Sequence, residues 1–219
     1  MKYTRYEYKK HGKMKLIFII LIIALLSILM GMYFSKFIFK GKLDISSFNQ
    51  QENVVSDQEF IALQFGYYSN KDNADAAMRT IPSKYNSYII EEEGHYRVVI
   101  GLYSKKDGEK QLENLISQGI NAVKINFSIS KENLEQNKVA ELINAFLKIN
   151  STLEDENVKS VKISDYKTWC LNITKKENLD TNNSLKEISD YINNLPDELN
   201  KNNVNEYLKY FYERLKNMQ

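Results

Sequence analysis

A short phrase that occurs twice constrains the fold of this chain more than any other sequence feature. Residues 66–72 and 101–107 share the pattern Gly-x-Tyr-Ser-x-Lys-Asp. The copies begin about 35 residues apart, a length that suits one β-α-β unit. In each copy the Ser and the Asp have the spacing of a capping box, whose side chains satisfy free N–H groups at a helix start. Because the matches fall at the same structural point in both halves, we favour an internal repeat over chance matching of common residues.

Strand patterns accompany both copies of the phrase. Apolar residues alternate with other residues in 60–65 and in 95–101, at Ile61, Leu63 and Phe65 and at Tyr96, Val98 and Ile100. Such alternation is typical of strands with one buried face. His95, Arg97 and Val99 point to the opposite side. Two further strands are predicted at 87–92 and 122–129, and Glu93-Gly94 predicts a tight hairpin.

Helical spacing follows each copy of the phrase. The apolar faces are formed by Ala74, Ala77, Met78 and Ile81 and by Leu112, Leu115 and Ile116. Gly119 is a candidate C-cap, since glycine tolerates the left-handed backbone. The order β-α-β-β-α-β over residues 59–130 predicts an α+β fold of the ferredoxin or RNP type. Such a fold is a four-stranded antiparallel sheet with both helices on one face, and the other face would be free to bind a ligand.

Two of these strands are similar to those of a known family. Residues 60–68, with Gln64, and residues 95–103, with Arg97, resemble the first and third strands of a SPOR domain. That family typically has Gln-x-Gly-Ser-aromatic in its first strand and aromatic-x-Arg-Val-x-x-Gly-Pro-aromatic in its third. The sequence departs from this pattern where Tyr67 replaces Ser, His95 replaces Trp and Leu102 replaces Pro.

The resemblance implies binding to peptidoglycan glycan strands that have lost their stem peptides, at division septa or during sporulation. Family members bind glycan through the free sheet face. By position, that face would include Gln64, Tyr67, His95 and Arg97. Val123 also falls where the family has an apolar contact. Because it shares its parity with Ile125, Phe127 and Ile129, Val123 is predicted to belong to the core instead.

The chemistry of these residues suits a sugar polymer that carries carboxylates. Arg97 is either a solvated surface residue or a fork that binds a carboxylate through two hydrogen bonds. A stripped glycan exposes the lactyl carboxylate of each muramic acid, and our hypothesis pairs Arg97 with it and Gln64 with an acetamido or hydroxyl group. Tyr67 and His95 would offer flat faces to sugar rings, although Tyr67 could equally pack at the sheet edge. An intact stem peptide occupies the lactyl position, which would explain selectivity.

The first part of the chain predicts a membrane anchor and a tether. Residues 1–15 are basic, and residues 16–39 are a long apolar stretch. About 20 apolar residues span a bilayer, and the excess of positive charge before the stretch places the N-terminus in the cytoplasm. We therefore expect a single-pass signal anchor in the cell membrane, a linker at 40–58 and extracytoplasmic domains. A cleaved signal peptide is the alternative.

Residues 131–219 are predicted to be a small all-α domain. Its amphipathic stripes are Leu134, Val139, Leu142, Ile143, Phe146 and Leu147, then Leu185, Ile188, Ile192 and Leu195, then Val204, Leu208, Phe211 and Leu215. The stripes either pack against one another or dock a partner protein of the envelope. Docking supports an alternative hypothesis for the whole chain, a non-enzymatic envelope scaffold with weak or no glycan affinity.

The residues argue against catalysis, a metal, a cofactor or nucleic-acid binding. With only two histidines, His11 and His95, the chain lacks the ligand cluster of a zinc enzyme. Cys170 and His95 fall in different predicted domains, which argues against a Cys–His pair. The run at 91–93 is typical of a solvated turn rather than of paired glycosidase carboxylates. A net charge of +2 gives no bulk attraction to polyanions, and the motif of RNA-recognition modules is missing from the third strand.

Overall fold

The computed structural model describes residues 58–130, 132–175 and 183–219, and these residues belong to one compact unit. The predicted basic tail at 1–15, the membrane anchor at 16–39 and almost all of the linker at 40–58 lie outside the described residues. Within the described ranges, no helix is both long enough and apolar enough to cross a membrane.

The described residues form a sheet domain followed by a mostly helical region. In chain order the elements are β1 (Gln58–Tyr68), α1 (Lys71–Met78), β2 (Ser87–Glu92), β3 (His95–Ser104), α2 (Lys105–Ser117), β4 (Val123–Ile129), α3 (Leu134–Leu153), β5 (Ser160–Lys162), α4 (Ser164–Lys175), α5 (Asn183–Asn193), β6 (Glu198–Asn200) and α6 (Val204–Lys216). The first six confirm the predicted order. β2 has the predicted bounds, whereas β1 and β3 extend beyond the predicted segments.

The four strands of the sheet domain pair antiparallel in the order β2-β3-β1-β4. β1 and β3 are therefore central, and β2 and β4 are the edges. Glu93 (φ 51°) and Gly94 (φ 76°) form the predicted hairpin turn between β2 and β3. A two-residue turn with positive φ at both positions matches the twist of the flanking strands.

The two copies of the phrase cap their helices differently. Ser104 caps α2: its hydroxyl accepts the Asp107 N–H at 3.3 Å and donates to the Asp107 carboxylate at 2.7 Å. The cap of α1 is Asn70, whose side chain accepts the Asp72 N–H at 2.7 Å. Ser69 thus lacks its predicted role, because the neighbouring Asn is an equally good acceptor and lies one residue nearer the helix.

Helix α2 ends at the predicted glycine. Gly119 has φ 75°, and its N–H donates to the Ile116 carbonyl at 2.9 Å. The Ile120 N–H donates to the Leu115 carbonyl at 2.9 Å. These two bonds form a Schellman motif, in which glycine adopts the left-handed backbone without a steric penalty.

The first face of the sheet packs under α1 and α2. Its core consists of Ile61, Leu63, Val98, Ile100 and Tyr103 from the strands and of Ala74, Ile81, Tyr85 and Leu115 from the helices and their flanks. Gly108 brings α2 close to the sheet, since a Cβ at this position would be 2.7 Å from the Cβ of Ile61. Ile116, which the sequence placed on this side, is 57% exposed because Leu115 takes the position that points inward.

The second face of the sheet is not free, contrary to the expectation from the sequence. Residues from all four strands share one hydrophobic core with the C-terminal helices: Phe60, Ala62, Tyr88, Ile90, Val99, Leu102, Phe127 and Ile129. Helices α3 and α6 lie over them, and the ring of Tyr212 in α6 meets that of Phe127 edge-on, with centroids 5.3 Å apart. Over residues 60–63 and 98–100 both faces of β1 and β3 are apolar, so both must be removed from water there.

Hydrogen bonds also join the C-terminal region to the sheet domain. Asn86 Nδ2 donates to Asn150 Oδ1 at 2.7 Å, and both side chains are buried. Tyr103 OH donates to Glu154 Oε1 at 2.8 Å. The apolar stripes are buried in the shared core, except that Leu134 is 73% exposed at the start of α3.

The region predicted to be all-α also contains a two-stranded antiparallel sheet of β5 and β6. Each of these strands has three residues, too few for a period-2 pattern to be visible in the sequence.

Candidate functional site

The four predicted binding residues lie together at one end of the second face. Gln64 pairs with Val123 across β1 and β4, and Tyr67 pairs with Arg97 across β1 and β3. Arg97 Nη1 donates to Gln64 Oε1. His95 lies two residues before Arg97, at the start of β3, and its ring contacts that of Tyr67. We call this region, formed by Gln64, Tyr67, His95, Arg97 and Val123, the open end, because α3 and α6 leave its side chains partly exposed.

A β-bulge places Tyr67 on the same face as Gln64. Simple alternation from Gln64 would put Tyr67 on the opposite face. Between Gln64 and Gly66, however, β1 contains one more residue than the paired segment of β3. The extra residue returns Tyr67 to the side of Gln64 and opposite Arg97. From the sequence, only the family resemblance placed Tyr67 on this face. The bulge is the physical reason why Tyr67 lies there.

The aromatic rings of the open end stack on each other. Tyr67 is 44% exposed, and its ring is parallel to that of His95, with centroids 5.0 Å apart. The guanidinium carbon of Arg97 is 4.7 Å from the Tyr67 centroid, within cation–π range. Because each ring covers one face of the other, at most one face of each remains for a sugar. The predicted pair of stacking platforms is therefore smaller than expected.

The ring of His95 is also held by its own turn. His95 Nδ1 lies 3.1 Å from the Glu93 carbonyl oxygen. A carbonyl oxygen accepts but does not donate, so this contact assigns the N–H to Nδ1. In the neutral ring, Nε2 is then an acceptor that a ligand hydroxyl can use.

Arg97 already binds a carboxylate of this chain. Its Nε and Nη2 donate to Glu92 Oε2 at 3.3 and 3.1 Å, and Lys216 Nζ, at the end of α6, donates to Glu92 Oε1. Hydrogen bonding by Lys216 and, more weakly, by Arg97 lowers the pKa of Glu92, although burial acts in the opposite direction. The sequence placed Glu92 in a solvated turn. In the structure its side chain is only 17% exposed, because its position in β2 directs it to the second face, like Ile90.

Val123 belongs to the open end, although the sequence assigned it to the core. It is 64% exposed, whereas Phe127, four residues later on the same strand face, is 2% exposed. Parity predicted the correct face but not the burial, because the C-terminal helices cover only part of that face. The family position, which has an apolar contact here, was the signal that could have placed Val123 outside the core, but the sequence analysis gave preference to parity.

The structure also bears on a cysteine nucleophile, on a metal site and on a cavity outside the open end. Cys170 is buried in α4, and burial raises the pKa of its thiol, which disfavours the nucleophilic thiolate. In the residues that the structure describes, no cluster of three or more His, Cys, Asp and Glu side chains is placed to hold a metal ion. A cavity of about 370 Å³ lies beside β2 between α1 and α6, and the predicted binding residues are not among those that line it.

These features define a class of protein domain: an α+β domain whose antiparallel sheet presents polar and aromatic side chains at one end of a face. Residues 57–125 match the model of the family described as SPOR domain. The resemblance inferred from the sequence is thereby confirmed. SPOR domains are binding domains rather than catalytic ones. The matched region ends before the C-terminal helices begin.

A solved structure is also similar to part of the chain. It is the peptidoglycan binding domain of the B. subtilis cell wall lytic enzyme CwlC, with 25% sequence identity and a TM-score of 0.27. The similarity covers 35% of this chain and 96% of that domain. No curated protein matches the chain.

Proposed function

We propose that this protein binds peptidoglycan through the open end of the sheet and prefers glycan strands without stem peptides. The observation that carries the proposal is the contact between Arg97 and Gln64, within a region that matches the SPOR family. A guanidinium group binds carboxylates, and an amide exchanges hydrogen bonds with hydroxyl and acetamido groups. The exposed ring of Tyr67 adds an apolar surface beside them.

Selectivity follows from one functional group of the ligand. Removing a stem peptide converts a lactyl amide into a lactyl carboxylate, which carries a negative charge at neutral pH. A carboxylate pairs its charge with Arg97 and can accept two parallel hydrogen bonds from the guanidinium group. The neutral amide of an intact strand accepts a hydrogen bond but supplies neither the opposite charge nor the second carboxylate oxygen, and it brings a peptide that the open end must accommodate.

The proposal extends to the cell envelope. An anchor at 16–39 with a cytoplasmic N-terminus would hold the sheet domain outside the membrane, where glycan is located. Stripped glycan arises at division septa and during spore formation, so the protein would act there as a non-enzymatic binder. The buried stripes of the C-terminal helices favour packing over docking, and we therefore do not propose the envelope scaffold.

Co-sedimentation with cell-wall sacculi tests the proposal. The full-length chain in detergent is mixed with sacculi before and after an amidase removes the stem peptides. We expect more protein to sediment after amidase treatment. Arg97→Ala should lose most of that gain, since hydrogen bonds to a charged group contribute about 1.5–3 kcal/mol, or a factor of at least ten.

The matched control is Arg79→Ala, which removes the same charge from an exposed position next to α1. It should sediment like the wild type, and thermal unfolding should show that both variants are folded. Equal sedimentation of Arg97→Ala and wild type on stripped sacculi would contradict the role of Arg97. Absence of the wild-type protein from both pellets would contradict glycan binding itself.

A further inference from the structure

An internal carboxylate occupies the edge of Arg97 that a ligand carboxylate would use. A guanidinium group has five N–H donors, and the edge formed by Nε and Nη2 suits a carboxylate. Glu92 takes both of these groups through Oε2. Nη1 donates to Gln64. A ligand that binds Arg97 through this edge must therefore replace Glu92.

The second oxygen of Glu92 is held by the C-terminal helix. Lys216 Nζ donates to Glu92 Oε1, across a sequence separation of 124 residues. Tyr212, one turn earlier on α6, also faces the cluster: the charges of Arg97, Glu92 and Lys216 all act on its pKa, which burial raises. A residue outside the family match thus binds the carboxylate that holds Arg97.

We propose that Glu92 is a specificity-determining residue. In the free protein Glu92 binds Arg97; when a ligand binds, the ligand carboxylate takes the place of Glu92 on Arg97. Lys216 then keeps its ion pair with the displaced Glu92. This inference rests on the glycan-binding function proposed above. Arg97 and Glu92 are 20% and 17% exposed, so a guanidinium left without a partner here would lose hydrogen bonds that water replaces only in part.

Exchange explains why a neutral ligand is rejected. A carboxylate restores both hydrogen bonds and the charge pairing that Arg97 gives up, whereas a hydroxyl or an amide restores the hydrogen bonds at most. Discrimination of this kind depends on what the wrong ligand must disrupt as well as on what the right ligand gains. Glu92 therefore lowers the affinity for ligands without a carboxylate more than the affinity for ligands with one.

Lys216 makes the exchange feasible. Once the ligand occupies Arg97, the displaced Glu92 lies near a second carboxylate, and like charges repel. The ion pair with Lys216 neutralises Glu92 and keeps it aside. Without Lys216, Glu92 would compete more strongly for Arg97 and the affinity for the ligand would fall.

Titration of the full-length chain with two soluble sugars tests the inference. N-acetylmuramic acid carries the lactyl carboxylate, and N-acetylglucosamine does not. Glu92→Gln should bind N-acetylmuramic acid roughly tenfold more tightly than the wild type, because the competing charge is gone. It should also lose part of the wild-type preference for N-acetylmuramic acid over N-acetylglucosamine. The matched control is Glu91→Gln, an exposed carboxylate that alternation along β2 directs to the opposite face, and it should bind like the wild type.

Lys216→Met provides an independent variant, since Lys216 is 47% exposed and its replacement should not impair folding. We expect it to weaken binding of N-acetylmuramic acid several-fold in the wild-type background and to have much less effect in the Glu92→Gln background. This non-additivity separates an action through Glu92 from a general loss of positive charge.

The outcomes distinguish this inference from the function on which it rests. If the wild type prefers stripped sacculi but Glu92→Gln binds N-acetylmuramic acid no better, Glu92 does not compete and the inference is wrong. Equal effects of Lys216→Met in both backgrounds would also overturn it. If neither the wild type nor Glu92→Gln binds sacculi or N-acetylmuramic acid, both the function and the inference fail.

Discussion

The two faces of the central sheet are covered by different parts of the chain. Helices α1 and α2, which belong to the internal repeat, cover the first face. Helices α3 and α6, which follow the repeat, cover the second face as far as the open end. The contrast between Phe127 and Val123, on one face of one strand, marks where that cover stops. The candidate site is thus delimited by the C-terminal helices as well as by the fold of the sheet domain.

This difference bears on where the domain ends. The family match stops at residue 125, yet the core of the second face includes side chains from α3 to α6. Removing the C-terminal region would expose apolar residues such as Phe60, Val99 and Leu102 to water. The sheet domain and the helices should therefore unfold as one cooperative unit.

The largest expected effect comes from truncating a core residue on each face. Phe127→Ala removes the ring that meets Tyr212 on the second face and should cost about 3–5 kcal/mol. Leu115→Ala is its counterpart under the first face, where Leu115 is fully buried, and should cost about 2–5 kcal/mol. Urea unfolding followed by both fluorescence and far-UV circular dichroism should give coincident single transitions for both variants.

Two separate transitions in either variant would show that the faces belong to independently folding units. Ile116→Ala serves as the control, because Ile116 lies on α2 next to Leu115 but is exposed. Its effect on the free energy of unfolding should be small.

The sequence contained a signal for the covered second face. Residues 60–63 and 98–100 are continuous apolar runs, which are typical of strands buried on both faces. The alternation of apolar residues predicts that one set of alternate residues faces the core and leaves the other set available for a ligand. Phe60, Ala62 and Val99 have the second parity, and all three are buried against the C-terminal helices.

Other features of the site could not be read from the sequence. The bulge before Gly66 follows from the register between two strands, which depends on pairing along the whole sheet. The contact between Glu92 and Lys216 joins residues that are far apart in the chain, and no local pattern indicates it. The clustering of Gln64 and Arg97, by contrast, followed from the predicted order of strands and the family resemblance.

The free energy of unfolding should depend on pH through Glu154, which lies where α3 contacts the core of the first face. Glu154, at the end of α3, accepts a hydrogen bond from Tyr103 of the first-face core. Burial raises the pKa of Glu154 to about 7; hydrogen bonds from Tyr103 and Asn150 act against this rise, as does the charge of Lys201, while Asp107 adds to it. The folded protein thus holds a proton that the unfolded chain releases near pH 4.3.

The free energy of unfolding should therefore fall as the pH rises from about 4.3 to about 7. The contribution of Glu154 is fully present below that window and is lost above it, with a total of about 3–4 kcal/mol. Urea unfolding at pH 5 and pH 7.5 measures the change. Glu154→Gln should reduce it, whereas the exposed Glu156→Gln should not. An unchanged pH dependence in Glu154→Gln would show that this carboxyl group is not the cause.

The buried hydrogen bond between Asn86 and Asn150 tests how much the contact between α3 and the sheet domain contributes to stability. Asn150→Ala would leave the Asn86 amide without its partner in a buried position, which costs about 1–3 kcal/mol. The double variant with Asn86→Ala should cost less than the sum of the single variants, because it removes both polar groups together. Additive costs would mean that the hydrogen bond contributes nothing to the stability of the interface.

The smallest effect is expected at the open end itself. Val123→Ala should change the free energy of unfolding by less than about 0.5 kcal/mol, because the side chain is 64% exposed. Phe127→Ala on the same strand face should reduce the free energy of unfolding several times more. The ratio of the two losses shows how far along β4 the C-terminal helices cover the sheet. A cost for Val123→Ala near that of a core truncation would mean that the helices extend over this end in solution. Arg97 would then be closed to a glycan, so this stability measurement also bears on the proposed site.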